Sequence, residues 1–339
     1  MRFLIEYNKL LLNKSNKKVG SLHVDTERMK KLVTVAKMYY ENNMNQSEIA
    51  KAIGVSRPLI SILLSDAKEF GIVEVKINSP FKMDNNIMDT LCRVYNIKGG
   101  RLIQGVNSRR MTEKMIIKSS YDFIKSVVSH GDYIGISWGN MIGDVVEFME
   151  AQDEKLMLDG NVCSLVGNSA TANKNYHTDE LCRAFGQAAG CEPHFALAPA
   201  FYETKEELES VGKLDFFNKI QQSWRNVNFA IVNIENHPSV PDLATASRFG
   251  RKLKDAVGHM VSYYYDKDGN IIENENDVVY RIPLEQLKKA DIVMGICRCN
   301  VTVENLIGAL KTNILTHVFV DQQIAQDVVK KLYEQEFTL

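Results

Sequence analysis

Hydrophobic and polar positions recur along this chain with two different periods, and the change of period divides it. From Thr26 to Asn42, Met29, Leu32, Val33, Ala36 and Tyr39 or Tyr40 carry the i, i+3, i+4, i+7 spacing of an amphipathic helix. Asn42-Asn43-Met44-Asn45 breaks it. A short second helix follows, with Asn45 as N-cap, Glu48 placed for a capping box, and Ile49, Ala50 and Ile53 facing inward. Gly54 suits the left-handed residue that ends a helix, Val55 bridges, Ser56 is an N-cap, and Pro58 fits the first turn of the next helix. That third helix, about Arg57 to Phe70, sets Ile60, Leu63, Leu64 and Ala67 against Arg57, Ser61, Ser65 and Lys68 on the opposite side. Gly71 stops it, and Ile72-Val73-Glu74-Val75-Lys76-Ile77 alternates like a strand.

Helix, short helix, Gly turn, helix and strand is the plan of a winged helix-turn-helix, which lays its last helix in the major groove of double-stranded DNA. Any small three-helix bundle shows such stripes. The tight turn and the polar outer face of the third helix favour DNA. Arg57 can reach a guanine edge and Ser61, one turn on, another base. Gln46 and Ser47 are placed for phosphate contacts, with Ser56 and Pro58 setting the helix start. Lys68 is either a phosphate partner or a solvated helix end.

Beyond Pro80 the period alternates. Asp84 to Tyr95 reads as a linker helix with Ile87, Leu91 and Val94 on one stripe. Strands are expected at Arg101–Gln104, Tyr133–Ser137, Val162–Val166, Phe229–Ile234, His259–Tyr264, Asp291–Ile296 and His317–Val320. Helices are expected at 110–129, 140–151, 176–189, 203–222, 242–255, 301–311 and 321–335. Such β/α alternation with unbroken apolar strands predicts an α/β fold with a doubly wound, mainly parallel sheet. Ligands of these sheets sit beyond the carboxyl ends of the strands. Three turns there draw attention: Ser137-Trp138-Gly139-Asn140, Gly167-Asn168 after the third strand, and Arg298 to Thr302 after the sixth. They nominate Ser137, Gly139, Asn140, Gly167, Asn168, Arg298 and Thr302 as effector-binding, with free backbone N–H groups. Trp138 reads as core.

Composition sharpens this picture. The chain has 339 residues, 45% of them hydrophobic and 24% charged, the profile of a globular protein of two domains. Residues 1–80 carry 13 Lys and Arg against 8 Asp and Glu, and the remainder 28 against 34. A basic head on an acidic body suits a polyanion partner for the head alone. No apolar run approaches the ~20 residues that cross a bilayer. Glu6, Asn8 and Lys9 interrupt the N-terminal apolar stretch, so no secretory signal and no membrane partner are expected, and the cytoplasm is the default.

Candidate chemistry is sparse. Of six cysteines only Cys297 and Cys299 lie close together, without a second pair or neighbouring His, so free thiols are expected and no metal site or cofactor. HExxH and Walker A patterns are absent from the sequence. His259, within an expected strand, reads as a core or rim residue and not as a catalytic base.

At these residues the sequence resembles the SorC/DeoR-type sugar-binding bacterial transcriptional regulators. The segment from Val35 to Ile77 is similar to the family's DNA-binding head, and YIGISWGN, VCSLVGNSA, FALAPAF, DAVGHMVSYYYDKDGN and LIGALKTNILTHVFVDQQIA follow in the family's order. The resemblance implies an effector domain similar to the sugar-phosphate isomerase sheets, binding a sugar or sugar phosphate on a homodimeric or homotetrameric repressor or activator. Departures fall on the phosphate site. Asn140-Met141 stands where the family has Arg-Thr, Arg298-Cys299-Asn300 replaces its Gly-Gly, and Thr302 replaces a Lys. Gly258-His259 stands for a Gly-Asp pair and Ile234-Glu235-Asn236 for a Gly-Ile-Gly loop, while in the recognition helix of the head Ile62 stands for a frequent Arg.

The expected organisation is an extension over 1–25, a winged helix-turn-helix over 26–80, a linker helix over 81–100, and an effector-binding and oligomerisation domain over 101–339. The expected function is regulation of a carbohydrate-related operon by operator binding under control of a small sugar or sugar-phosphate effector. Two alternatives stand beside it: a degenerate pocket serving oligomerisation, and a sugar-phosphate isomerase or deaminase fused to a DNA-binding head. Without the Lys and the Gly-rich loops, the enzyme reading is the weaker.

Overall fold

The computed structural model describes residues 25–73, 87–106, 108–153, 155–214, 217–239, 250–273 and 278–336. The chain divides into two compact units between Met83 and Asp84.

The first unit contains α1 (Asp25–Tyr40), α2 (Gln46–Ile53) and α3 (Arg57–Glu69). Leu32, Val35, Ala36, Ile49, Ile60, Leu63, Leu64 and Ala67 form its core. Val35 is buried and Val33 is 40% exposed, the reverse of the expected stripe. Both assignments fit the helical spacing, and packing against α3 selects the former. The turn into α2 is built as its sequence demands. Asn45 Oδ1 accepts from the N–H groups of Ser47 and Glu48, and Glu48 Oε2 accepts from the Asn45 N–H at 2.8 Å. Gly54 adopts φ 70°, a conformation in which any side chain is strained. Ser56 occupies the N-cap of α3, but its hydroxyl makes no capping bond. Pro58 sets the helix start, and the Ser56 carbonyl accepts from Leu59 and Ile60. After Gly71 the N–H groups of Ile72 and Val73 turn back to the Ala67 carbonyl, so neither is in a strand. The rest of the expected wing, Glu74–Ile77, and residues 1–24 of the expected extension lie outside the described residues.

The second unit opens with α4 (Ile87–Tyr95), the part of the expected linker helix that is described. There follow β1 (Gly99–Ile103), α5 (Arg109–Val127), β2 (Tyr133–Ile136), α6 (Asn140–Glu150), β3 (Asn161–Ser164), α7 (Thr178–Ala189) and β4 (Glu192–His194). The chain continues through α8 (Lys205–Gly212), α9 (Phe217–Asn226), β5 (Phe229–Asn236), β6 (Gly258–Met260), β7 (Tyr263–Tyr265) and α10 (Leu284–Leu287). It closes with β8 (Ile292–Cys297), α11 (Val303–Lys311), β9 (His317–Asp321) and α12 (Gln322–Glu336). The main sheet runs β1-β9-β8-β5-β2-β3-β4, and every pairing along it is parallel. Its strands are buried through their middle, as Ile134, Ile136, Val162, Ala230, Val232, Val293 and Ile296 show. Unbroken apolar runs of this kind belong to sheets covered on both faces.

Three sequence expectations are corrected. His259–Tyr264 is an antiparallel hairpin, β6 and β7, turned at Val261 and Ser262 with φ 51° and 61°. Positive φ at a β-branched residue carries no turn signal in sequence, so the stretch reads as one strand. The expected 203–222 helix is two helices, α8 and α9, with Lys213 and Leu214 between them and 215–216 outside the described residues. The edge strand β4 escapes notice because three residues show no alternation. Of the expected 242–255 helix, Gly250–Asp255 is a 3-10 turn and 242–249 lies outside the described residues. No described helix is long and apolar enough to cross a membrane.

Candidate functional site

Each unit carries one candidate surface. On the first, α3 buries Ile60, Leu63, Leu64 and Ala67 and exposes Arg57, Pro58, Ser61, Ser65 and Lys68. Leu59 and Ile62 are also exposed, at 41% and 56%. Ser47 is exposed and Gln46 half-buried at the start of α2, and a helix N-terminus favours an anion such as a phosphate. Arg28 Nη2 reaches Asp66 Oδ2 at 2.8 Å and ties α1 to α3, so Asp66 is paired on the helix that bears the polar face. The sequence-predicted DNA-binding residues therefore share the α2–α3 surface, except that Ser56 and Pro58 also serve the helix start.

On the second unit the topology dictates where a ligand can sit. From β2 the chain winds outward through β3 to β4, then returns to β5 on the other flank of β2 and continues to β8. The strand order reverses between β2 and β5, and the crevice beyond their carboxyl ends is where doubly wound sheets bind ligands. A cleft of about 210 Å³ opens there. Asn140 borders it from the start of α6, Tyr176 from the Lys174–Tyr176 turn, and Ile234, Glu235 and Asn236 from the end of β5. Pro238 and Ser239 follow, and Arg298, Asn300 and Val301 close it from the turn between β8 and α11.

Glu235 is held in place. Its Oε1 accepts from Tyr176 Oη at 2.8 Å and from Asn233 Nδ2 at 2.7 Å, and only 11% of its side chain is exposed. Gly139 makes room for Asn233, since a Cβ there would lie 2.0 Å from Asn233 Nδ2. Its φ of 127° is one that side chains rarely adopt. His259, buried on β6, brings Nε2 to 3.4 Å from Glu235 Oε2 and 2.8 Å from Ser239 Oγ. Asn236 joins β5 to α11: its Oδ1 accepts from the Thr302 N–H and Asn305 Nδ2, and its Nδ2 donates to the Asn300 carbonyl.

Arg298 lines the cleft but is paired. Its Nε and Nη2 donate to the Glu113 oxygens at 3.3 and 3.4 Å, and this bond raises its already high pKa. Burial holds the Asp144 carboxyl above the usual carboxylate range, with Arg298 pulling it back down and Glu147 and Glu113 pushing it up. The guanidinium thus sits among carboxylates.

Of the seven effector residues expected from sequence, Asn140 and Arg298 line this cleft. Asn140 Oδ1 accepts from Asn173 and Asn175, which fixes its orientation. Ser137, Gly139 and Gly167 are buried, and Thr302 caps α11 by accepting from the Asn305 N–H. Asn168 is bound through both ends of its amide to Asp179, which also accepts from Ser164 Oγ and the Ala196 and Leu197 N–H groups. The expectation of free N–H groups is overturned at Gly139, Gly167, Asn168 and Thr302. Gly139 donates to Asn175 O, Gly167 to Tyr280 O, Asn168 to Ala198 O, and Thr302 to Asn236. Loops that cross at one sheet edge satisfy one another, as buried backbone must. Tyr176, Glu235, Asn236, Ser239 and Asn300 were not expected. The available signals were the departures from the family pattern at Ile234-Glu235-Asn236 and Arg298-Cys299-Asn300, which touch three of the five.

No three His, Cys, Asp or Glu side chains among the described residues are arranged to hold a metal.

The profile of the Sugar-bind family ("Putative sugar-binding domain") matches residues 79–330. The deoxyribonucleoside regulator of Bacillus subtilis is 25% identical over 323 residues, 91% of this chain and all of its own length. The full-length sorbitol operon regulator SorC of Klebsiella pneumoniae superposes with a TM-score of 0.62 at 20% identity, over 90% of this chain and all of its own. A transcriptional regulator of Streptococcus pneumoniae gives 0.66 at 17% identity, over 73% of this chain and 96% of its own.

Proposed function

From the premise that the chain belongs to the SorC/DeoR-type family of sugar-binding regulators, we propose that it is a transcriptional regulator that binds operator DNA through α2 and α3 and a small sugar in the β2/β5 cleft. One observation carries this reading: a single chain joins a helix-turn-helix with an exposed polar α3 face to a sheet with a cleft at its switch point. Arg57 and Ser61 read bases, while Gln46, Ser47 and Lys68 hold phosphates. Residues 26–80 form the DNA-binding domain, 81–100 connect it, and 101–339 bind the effector and assemble a homodimer or homotetramer in the cytoplasm. Paired modules would read a two-part operator.

The cleft binds and does not catalyse. Its titratable lining, Glu235 and Arg298, is held by Tyr176, Asn233 and Glu113 in a way that suits positioning. Selection of bound duplexes from a random DNA pool tests the DNA arm, with a common two-part motif expected. A pool without any enriched motif would contradict it.

A further inference from the structure

We propose that the ligand of the β2/β5 cleft is an unphosphorylated polyol, a deepening that rests on the reading of this cleft as the effector site. The argument is one of charge and of donor supply.

Arg298 is the one cationic side chain among the described residues lining the cleft, and Glu113 already engages it through two hydrogen bonds. Glu235 brings a carboxylate into the same space, anchored on Tyr176 and Asn233 so that it cannot swing aside. A phosphate bound here would compete with Glu113 for the guanidinium and face Glu235 with the same sign of charge.

Two backbone donors at these turns are already spent. The Gly139 N–H donates to Asn175 O and the Thr302 N–H to Asn236 Oδ1. A phosphate accepts hydrogen bonds and, fully ionised, donates none, whereas a hydroxyl does both. The remaining polar lining can serve hydroxyls: with both Oδ1 atoms already taken, Asn140 Nδ2 and the second Nδ2 hydrogen of Asn236 donate, and the Ser239 hydroxyl can donate or accept.

Calorimetric titration of the full-length protein at pH 8, where an ordinary imidazole of pKa about 6.5 is neutral, tests this with matched pairs. The probes are D-ribose and ribose 5-phosphate, D-glucose and glucose 6-phosphate, and D-glucitol and glucitol 6-phosphate, with inorganic phosphate as competitor. In at least one pair the unphosphorylated member binds about tenfold or more tightly than its phosphorylated partner, as one unfavourable charge at several ångströms implies, and inorganic phosphate does not displace it. A phosphorylated member that binds more tightly, or failure of every unphosphorylated probe to bind, overturns the proposal. Glu235→Gln narrows the gap within that pair about tenfold. Glu113→Gln, at the cleft's edge, narrows it too and serves if the first variant does not fold. A gap unchanged in both overturns the proposal. Operator binding is followed in parallel: release of DNA by a phosphorylated sugar sinks this inference and leaves the regulator reading standing, while absence of sequence-specific DNA binding sinks the latter.

Discussion

Arg298 lies across Glu113 with Nε 3.3 Å from Oε1 and Nη2 3.4 Å from Oε2, which joins the β8–α11 turn to α5. Glu113 is the more enclosed partner, 13% exposed against 41% for Arg298. Removing the guanidinium therefore leaves a carboxylate in a shielded place without its counter-charge. Arg298→Ala lowers the melting temperature of the second unit, and adding Glu113→Gln restores part of the loss. A double variant no more stable than Arg298→Ala contradicts the pairing.

On the DNA-binding unit, Arg57→Ala lowers specific operator affinity by about 1–3 kcal/mol and relaxes the sequence preference. Lys68→Ala weakens binding to all duplexes alike and makes it less salt-dependent. Footprinting and salt titration separate the two, and a uniform effect of Arg57→Ala would remove it from base reading.

Asn45 caps α2 through two N–H groups and receives Glu48 in return. Asn45→Ala costs about 1 kcal/mol of stability in the first unit. A calorimetric scan shows the loss there and leaves the transition of the second unit unmoved, because the cap touches only α2.

His194 is buried with Nδ1 2.5 Å from Ser223 Oγ, and burial is the main cause holding its pKa below the usual imidazole value. The folded state thus resists protonating a ring that the unfolded chain protonates at about pH 6.5. The stability from the neutral ring is complete above that pH and is lost as pH falls below it toward the folded value. Between pH 7.5 and 5.5 the melting temperature of wild type therefore falls more than that of His194→Gln. Parallel curves would contradict this.

Much of the fold was legible because local rules agreed with it. Asn45, Glu48, Gly54 and Pro58 each chose the conformation their chemistry favours. The hairpin at Val261 and Ser262 was hidden because tertiary packing overrides the preference of a β-branched residue for negative φ. The candidate site was legible only in part. Asn140 and Arg298 stand at strand ends that any β/α alternation reveals, but the adjacency of β2 and β5 follows from strand order, which periodicity does not encode. Gly167 and Asn168 also follow a strand end, yet β3 lies beyond β2 from β5, and Asp179 engages Asn168. Glu235 and Tyr176 come together across a sequence separation of 59, with nothing local to announce it.

Coupling between the two units is the central claim, and operator affinity measured by fluorescence anisotropy with and without a sugar that binds the cleft tests it most directly. Linked sites of this kind change affinity about 5- to 150-fold. A saturating sugar should shift operator affinity within that range in wild type, and the shift should vanish in Tyr176→Phe, which loosens Glu235, while DNA binding without sugar is preserved. A sugar that saturates the cleft and leaves operator affinity unchanged would contradict the account.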